Sequence, residues 1–213
     1  MVSVPGPAPK RRAAARKVAE VGRPGEEAIL RAAIAVMAEH GYHGTSVRDI
    51  AERAELSPAA LYYHFTSKQD VLATIMERGI ERLLMRTRTA LAEAGEAPQD
   101  RLSAIVAVQV LFHLESQGAT LLGRTELRAL EEPLRSKHKA KRVQQQRLFN
   151  QVVEEGVAQG AFTTTLPQEA ARAIVVMCTE VASWFSPRGK LSRDQVVQRY
   201  QRLALDMVGA GRT

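Results

Sequence analysis

The chain places three helix N-termini close together between residues 46 and 70, and this spacing limits the fold more than any other feature. Ser46–Asp49 and Ser67–Asp70 each have a serine followed three residues later by an acid, the pattern of a helix capping box. Ser57 precedes Pro58, and these residue types are favoured at the N-cap and first position of a helix. The pattern predicts two short helices and then a long one, joined by tight turns.

The rest of the chain also has helical periodicity. Gly and Pro separate segments whose apolar residues recur at three- and four-residue spacing, and no segment has strong strand alternation. Aromatic residues, which favour strands, make up 5% of the chain. We therefore predict an all-α fold of about nine helices. They are 26–40, two short helices opened by Ser46 and Ser57, 67–94, 99–116, 119–131, 133–157, 167–186 and 192–209.

The sequence gives little support for catalysis or a bound metal. Its five histidines lack the spacing of metal ligands, and there is no glycine-rich phosphate loop. The single cysteine, Cys178, lies on an apolar helical face, which predicts an unreactive thiol in a reducing compartment. No apolar run reaches the roughly 18–20 residues of a membrane helix. We expect a cytoplasmic protein that has no membrane partner, needs no cofactor and is not an enzyme.

Most of the net charge of +7 lies at the N-terminus. Residues 1–24 contain six Lys or Arg residues and one Glu, whereas the rest of the chain is nearly balanced. A basic segment rich in Pro and Ala buries too little apolar surface to fold alone, so we predict a flexible basic arm. Such an arm attracts a polyanion in a salt-sensitive way. The alternative is a solvated tail without a partner.

The segment Ser46–Phe65 has the pattern of a helix-turn-helix. Ala51 is small enough for two short helices to cross closely, and Leu56, Leu61 and Phe65 supply a small apolar core. The second helix then exposes six residues and fits the major groove of double-stranded DNA, with its N-terminal residues at base edges. Those six residues are Pro58, Ala59, Ala60, Tyr62, Tyr63 and His64.

The segment Gly41–Leu72 closely resembles the TetR family of bacterial repressors, because its capping, turn and core residues match together. The resemblance implies a three-helix DNA-binding domain followed by a larger helical domain that binds an effector and dimerises. It implies that one group of residues contacts phosphates and another forms the recognition surface, since phosphate contacts position and base contacts specify. The first group is Thr45, Ser46, Arg48, His64 and Lys68, and the second is Ser57, Pro58, Ala59, Ala60, Tyr62 and Tyr63.

Two residues depart from the family pattern. Glu55 stands in the turn where glycine is common, and a left-handed backbone there costs roughly 1 kcal/mol. Ala59 also stands where glycine is frequent, which affects how closely the helix approaches DNA. For Tyr62 and Tyr63 the alternative interpretation is ordinary packing on the next helix, and for Arg48 it is a solvated ion pair.

We divide the chain into the flexible arm 1–24, a DNA-binding domain 25–72 and an effector-binding and dimerisation domain 73–213. The last two helices are the best dimer candidates because each has a broad apolar face. The alternative is that both helices only close the core of the subunit. The faces contain Ile174, Val175, Cys178, Val181, Ala182, Phe185, Val196, Val197, Tyr200, Leu203, Ala204 and Met207.

The end of the chain, from Val181 onward, resembles a TetR subgroup that controls fatty-acid or steroid-ring degradation and senses acyl-CoA thioesters. Such an effector needs an apolar tunnel and cations for its phosphates. The alternative for each apolar candidate is plain core, and for each cation a solvated face. The effector-binding candidates are Met76, Leu84, Phe112, Arg124, Leu127, Arg128, Phe149 and Trp184.

These features predict a homodimeric repressor in the bacterial nucleoid. A small-molecule effector shifts its population to a state whose two heads no longer match a palindromic operator. The first alternative is an effector-independent architectural protein that binds any duplex through the basic arm. A helical-bundle enzyme is a second and more remote alternative.

Overall fold

The computed structural model describes residues 24–211, and all regular secondary structure in that range is helical. The predicted basic arm lies outside the described residues except for its last position. The prediction of an all-α fold with about nine helices is confirmed. The helices are α1 Pro24–His40, α2 Val47–Arg53, α3 Pro58–His64, α4 Lys68–Glu93, α5 Pro98–Glu115, α6 Gln117–Thr125, α7 Leu134–Ala158, α8 Pro167–Trp184 and α9 Arg193–Val208, with a 3₁₀ turn at Leu127–Ala129.

The first two predicted helix caps form as the sequence indicates. The Ser46–Asp49 pair makes both bonds of a capping box, with Ser46 N–H donating to the Asp49 carboxylate over 2.7 Å. The Ser57 hydroxyl oxygen accepts from Ala60 N–H at 3.1 Å, which satisfies one exposed donor of α3. These local bonds set where α2 and α3 begin.

The third cap differs in one half from the predicted capping box. Ser67 Oγ accepts from Asp70 N–H at 3.0 Å, but the Asp70 carboxylate accepts from the N–H and the hydroxyl of Thr66. The carboxylate therefore ties α4 to the residue before its N-cap. Thr66 offers this carboxylate two donors, its N–H and its hydroxyl, whereas a capping box would use only the N–H of Ser67.

The helices α1, α2, α3 and the first part of α4 form what we call the head. Its core contains fifteen buried apolar residues, two of which come from the segment after α5, namely Leu122 and Leu130. The others are Ile29, Leu30, Ala32, Ala33, Met37, Ile50, Ala51, Leu61, Phe65, Val71, Leu72, Ile75 and Met76. The head therefore does not close on itself, and α6 completes it.

The predicted helix 119–131 is shorter in the structure, since α6 ends at Thr125 and a 3₁₀ turn follows. Leu130 then has an extended backbone with φ −68° and ψ 130°. It is 2% exposed and packs in the head core. Leaving the helix at this point lets the chain bury Leu130 against the head, an apolar gain that sequence periodicity does not show.

The remainder of the chain, which we call the body, packs around α5. Its core joins α5, α7, α8 and α9, and Phe149, Ile174 and Cys178 are fully buried there. Burial raises the pKa of the Cys178 thiol, which keeps it protonated and unreactive. Within residues 24–211 no single helix is long and apolar enough to cross a membrane; α5 and α6 reach that length and hydropathy only as a pair, and they meet at a 91° bend.

Glu55 adopts the left-handed backbone conformation, with φ 58°, in the turn between α2 and α3. Its N–H donates to Glu52 O and Leu56 N–H donates to Ala51 O at 2.9 Å, which together form a Schellman motif. Because glycine adopts this conformation without a Cβ penalty, we expect Glu55→Gly to raise the free energy of unfolding by about 1 kcal/mol. Chemical denaturation at fixed protein concentration measures the change.

Glu52→Gly is the matched control for this substitution, because it places glycine at an exposed position inside α2, three residues earlier. There glycine has the opposite effect and lowers the free energy of unfolding by about 1 kcal/mol. Equal destabilisation by both substitutions would contradict the strain assigned to Glu55.

Candidate nucleic-acid interface and ligand cavity

The short helix α3 presents a polar and aromatic surface outward. Its apolar side, Leu61, and the adjoining Phe65 are buried in the head, whereas Tyr62 and Tyr63 are 56% and 74% exposed. Ordinary packing on α4 therefore does not account for either tyrosine. Ser57, Pro58 and Ala59 at the start of the helix are also exposed, and Ala60 is half-buried.

Three basic residues near α3 have different surroundings. Arg48 on α2 is exposed and forms no ion pair within residues 24–211. Arg53 instead donates two hydrogen bonds to Glu39 of α1. His64 is half-buried, with its ring edge-on to Tyr63 and close to Gly25 of α1. Arg48 is therefore available to bind a phosphate beside α3, whereas Arg53 joins α2 to α1.

The structure places Lys68 and Thr45 as a brace for the loop before α2. Lys68 Nζ donates to the carbonyl oxygens of Tyr42 at 2.7 Å and Thr45 at 2.6 Å, and it lies 4.2 Å from the centre of the Tyr42 ring. Thr45 is 2% exposed, and its hydroxyl donates to Gly41 O. An ammonium has three donors, so Lys68 keeps one for another acceptor.

A cavity of about 140 Å³, partly open to solvent, lies between α4, α5, α6, α7 and α8 where the body meets the head. Its apolar lining includes Ile75, Met76, Ile80, Leu83 and Phe112. Its polar lining, which we call the polar wall, consists of Gln109, His113, Thr120, Arg124, His138, Arg142, Gln145 and Thr179. A largely apolar hollow with a few converging polar groups is the usual form of a small-molecule site.

Hydrogen bonds of Gln109 and His113, both on α5, connect the residues of the polar wall. The hydroxyl of Thr179 donates to Val175 O, so the amide Nε2 of Gln109 donates to its oxygen at 3.3 Å. The same Nε2 lies 3.1 Å from Nε2 of His113, which therefore accepts. His113 then carries its proton on Nδ1 and donates to Thr120 Oγ1 at 2.9 Å. The chain of bonds fixes the tautomer of a neutral imidazole.

His113 is 7% exposed, and burial followed by the charge of Arg142 lowers its pKa to about 4. In the unfolded chain the imidazole has a pKa near 6.5. Above that pH the group therefore does not lower the free energy of unfolding, which falls as the pH drops from 6.5 toward 4. Between pH 7.5 and 4.5 this group removes about 3 kcal/mol from the free energy of unfolding. We expect His113→Gln to reduce the pH dependence by that amount in denaturation curves at the two pH values. An unchanged pH dependence would contradict a neutral buried His113.

Three of the residues predicted to bind an effector line the cavity, namely Met76, Phe112 and Arg124. Arg124 also donates to the Glu180 carboxylate. The other five do not line this cavity. Phe149 is fully buried in the body core, and Leu84 packs against residues that line the cavity, such as Ile80, without lining it itself.

The remaining three of these predicted residues lie at or near the surface. Leu127 packs partly buried on the head core, and Arg128 is exposed on the 3₁₀ turn. Trp184 is 48% exposed and stacks on Tyr200, with ring centres 6.2 Å apart. An apolar or aromatic residue type shows that a side chain avoids water, but it does not distinguish a cavity wall from a filled core.

Sequence reasoning missed the polar wall. Gln109 and His113 are four residues apart on α5, and His138, Arg142 and Gln145 follow at four- and three-residue spacing on α7. Such spacing places each set on one helix face. Polar residues at the positions where a packed helix normally has apolar ones were the available signal.

The two predicted dimer helices have most of their named apolar residues inside the subunit. Ile174, Cys178, Val181, Phe185, Val196 and Ala204 belong to the body core and Ala182 is also buried, which corrects their assignment to an interface. A second apolar strip is exposed on the same helices, with Val176 and Trp184 on α8 and Leu203 and Met207 on α9. Because the apolar faces of both helices are broad, helical periodicity in the sequence does not separate the buried residues from the exposed strip.

Comparison with known protein families assigns both parts of the chain. Residues 29–75 match the family of bacterial regulatory proteins, tetR family. Residues 95–208 match the tetracyclin repressor-like C-terminal domain. The second match alone covers more than half of the chain.

Similar proteins agree with this assignment. The HTH-type transcriptional repressor KstR2 of Mycolicibacterium smegmatis is 26% identical over 83% of this chain and 87% of its own length. A regulatory protein of the tetR family from Rhodococcus RHA1 is 30% identical, with a TM-score of 0.81 over 89% of this chain and 99% of that structure. AibR, solved with isovaleryl coenzyme A and operator DNA, has the same fold at 21% identity, with a TM-score of 0.75 over 87% of this chain and 99% of its own.

Proposed function

Since the chain belongs to the TetR family of bacterial regulatory proteins, we propose that it is a homodimeric transcriptional repressor that a small-molecule effector releases from a palindromic operator. The observation that carries this proposal is the position of α6. This helix lines the cavity with Ala119, Thr120 and Gly123, and its Leu122 is buried in the head core. A ligand in the cavity and DNA on the head therefore act on one shared element.

The proposed DNA surface is built on α3 and the start of α2. Tyr62, Tyr63 and Ala59 meet the bases, and Ala59 and Ala60 offer only apolar contacts such as thymine methyl groups. Ser57 and Pro58 lie at the start of this recognition surface, whereas Ser46, Arg48 and His64 meet the phosphates of the backbone. Lys68 and Thr45 act by holding the loop in place, with the remaining donor of Lys68 directed to a phosphate.

The route from the cavity to the head passes through three contacts around α6. Leu122 and Leu130 pack in the head core, and Gln69 Nε2 of α4 donates to Ala129 O at 2.9 Å. Gly118 lies so close to Ile34 of α1 that a Cβ on this glycine would approach it to 2.9 Å. A ligand that moves α6 must therefore move α1 and α4 as well, and this shifts the population between two head positions.

The proposed effector is an acyl-CoA thioester of lipid or steroid catabolism. The cavity accommodates the acyl group on its apolar side, and Arg124 and Arg142 place cationic side chains in its wall. A volume of about 140 Å³ is too small for the nucleotide, which then lies outside. The AibR structure, which contains isovaleryl coenzyme A, supports this class by analogy of fold.

The proposed dimer joins the exposed apolar strips of α8 and α9 with the same strips of a second copy. Val176, Trp184, Leu203 and Met207 are each 40–56% exposed in the single chain. A two-fold axis through this surface makes the contact self-complementary and sets the two heads as a symmetric pair. Such a pair reads a palindrome.

Footprinting of the DNA upstream of its own gene, followed by addition of acyl-CoAs of increasing chain length, tests the proposed function. The expected result is a protected palindrome that one thioester releases and that free coenzyme A leaves intact. Coverage of random duplex with no preference for any site would contradict the repressor and support the architectural alternative. A protected palindrome that no thioester releases would contradict the effector class alone.

A further inference from the structure

The cavity wall contains two buried polar atoms that have no hydrogen-bond partner among residues 24–211. They are Oε1 of Gln145 and Nδ1 of His138, both on α7. Gln145 is 3% exposed and His138 is 8% exposed, and both line the cavity. A buried polar atom left unpaired is energetically unfavourable, and folded proteins contain few of them. Two of the four such atoms in the described part of the chain belong to residues that line one cavity, which points to a ligand that supplies their partners.

The orientation of the Gln145 amide is fixed by its neighbours. Its Nε2 donates to Thr87 Oγ1 at 2.9 Å and to Gln109 Oε1 at 3.0 Å, and the Thr87 hydroxyl is itself committed to Leu83 O. Turning the amide over would place its oxygen against the oxygen of Gln109. The unpaired atom of Gln145 is therefore an acceptor, which needs a donor from the ligand.

Gln109 cannot provide that donor by turning over. Its Nε2 already serves Thr179 and His113, as described above. A turn would place its oxygen against the Thr179 oxygen, whose proton is engaged with Val175 O. These hydrogen bonds thus fix the orientation of both amides and leave Gln145 Oε1 as an unpaired acceptor.

We propose that the effector carries a hydroxyl group on its apolar portion and donates from it to Oε1 of Gln145. This inference rests on the proposed effector-responsive function. A saturated acyl chain has no donor, and a ketone only accepts, so both leave Oε1 unpaired once they exclude water from the cavity. His138 lies seven residues away on α7, about 10 Å along the helix axis, so it meets a second polar group of the same ligand. The ligand class is a hydroxylated ring or hydroxylated acyl chain.

Three six-membered rings test the donor requirement without DNA. Cyclohexanol has a donor and an acceptor, cyclohexanone has only an acceptor, and methylcyclohexane has neither. A cavity of about 150 Å³ in another protein admits benzene, so a ring of this size suits about 140 Å³. Each is titrated into the full chain labelled with ¹³C at the methionine methyl groups, and the resonance of Met76 in the cavity wall reports binding.

The expected result is that cyclohexanol binds about tenfold more tightly than cyclohexanone and that methylcyclohexane binds more weakly than the alcohol. Equal or tighter binding of cyclohexanone or methylcyclohexane, or no response of Met76 to any ring, would overturn the proposal. Because no DNA is present, a failure to bind an operator leaves this result unaffected. Conversely, the alcohol preference can fail while a thioester still releases the operator.

Gln145→Met removes the acceptor, and its alcohol-to-ketone preference is expected to fall to about onefold. Gln146→Met is the matched control, because Gln146 bonds to Asn150 and lies outside the cavity wall. It should keep the tenfold preference, and loss of the preference in this control would also overturn the proposal. If Gln145→Met does not fold, the comparison of the three rings in the unmodified protein decides alone.

Discussion

Replacing Tyr63 by alanine should lower the affinity for the footprinted operator about thirtyfold and leave the free energy of unfolding unchanged. The side chain is 74% exposed on α3, so its removal opens no cavity in the head core. In the proposed complex with DNA the same ring contacts a base edge, and one good contact of this kind contributes about 2 kcal/mol. Titration of labelled operator at fixed salt measures the affinity, because phosphate binding depends strongly on ionic strength.

Two further variants separate DNA contact from folding. Met85→Ala removes another exposed side chain, 59% exposed on α4, and should leave both affinity and stability unchanged. Lys68→Met removes the hydrogen bonds to the carbonyl oxygens of Tyr42 and Thr45, so it should lower stability by about 2 kcal/mol as well as lowering affinity. A Tyr63→Ala protein that unfolds as easily as Lys68→Met would show that Tyr63 is structural.

The contrast between Tyr63 and Lys68 shows what sequence reasoning reaches in this chain. Local rules predicted the helix starts at Ser46 and Ser57 and the outward direction of Tyr63, because caps and helical spacing involve residues a few positions apart. The two carbonyl partners of Lys68 precede it by 23 and 26 residues. Only the folded head brings them together, so the role of Lys68 as a brace was out of reach.

The cavity shows the same limit on a larger scale. Its polar wall joins Gln109 of α5 to Gln145 of α7 and to Thr87 of α4. Each residue taken alone in the sequence is equally compatible with a solvated surface. Apolar candidates such as Phe149 were assigned to the cavity because burial and cavity lining have the same hydrophobic signature. Distinguishing them requires the relative positions of five helices.

The exposed apolar strip on α8 and α9 leads to the second large expected effect. Val176→Arg should convert the dimer to a monomer and lower the operator affinity about a thousandfold. Val176 is 56% exposed in the single chain, so arginine is tolerated in the folded monomer but buries an unpaired charge in the proposed interface. Two linked heads bind a palindrome with an avidity 10²–10⁴ times that of one head, and separation of the subunits removes that gain.

Val143→Arg is the matched control, because Val143 on α7 is 50% exposed and lies outside the proposed interface. It adds the same charge to the same residue type and should leave the dimer and the operator affinity unchanged. Analytical ultracentrifugation gives the oligomeric state, and titration of intact and half-site operators gives the affinities. The Val176→Arg monomer should bind the intact palindrome no better than a half-site, since a single head has one half to read. A dimeric Val176→Arg protein that keeps full affinity would place the subunit interface on another surface.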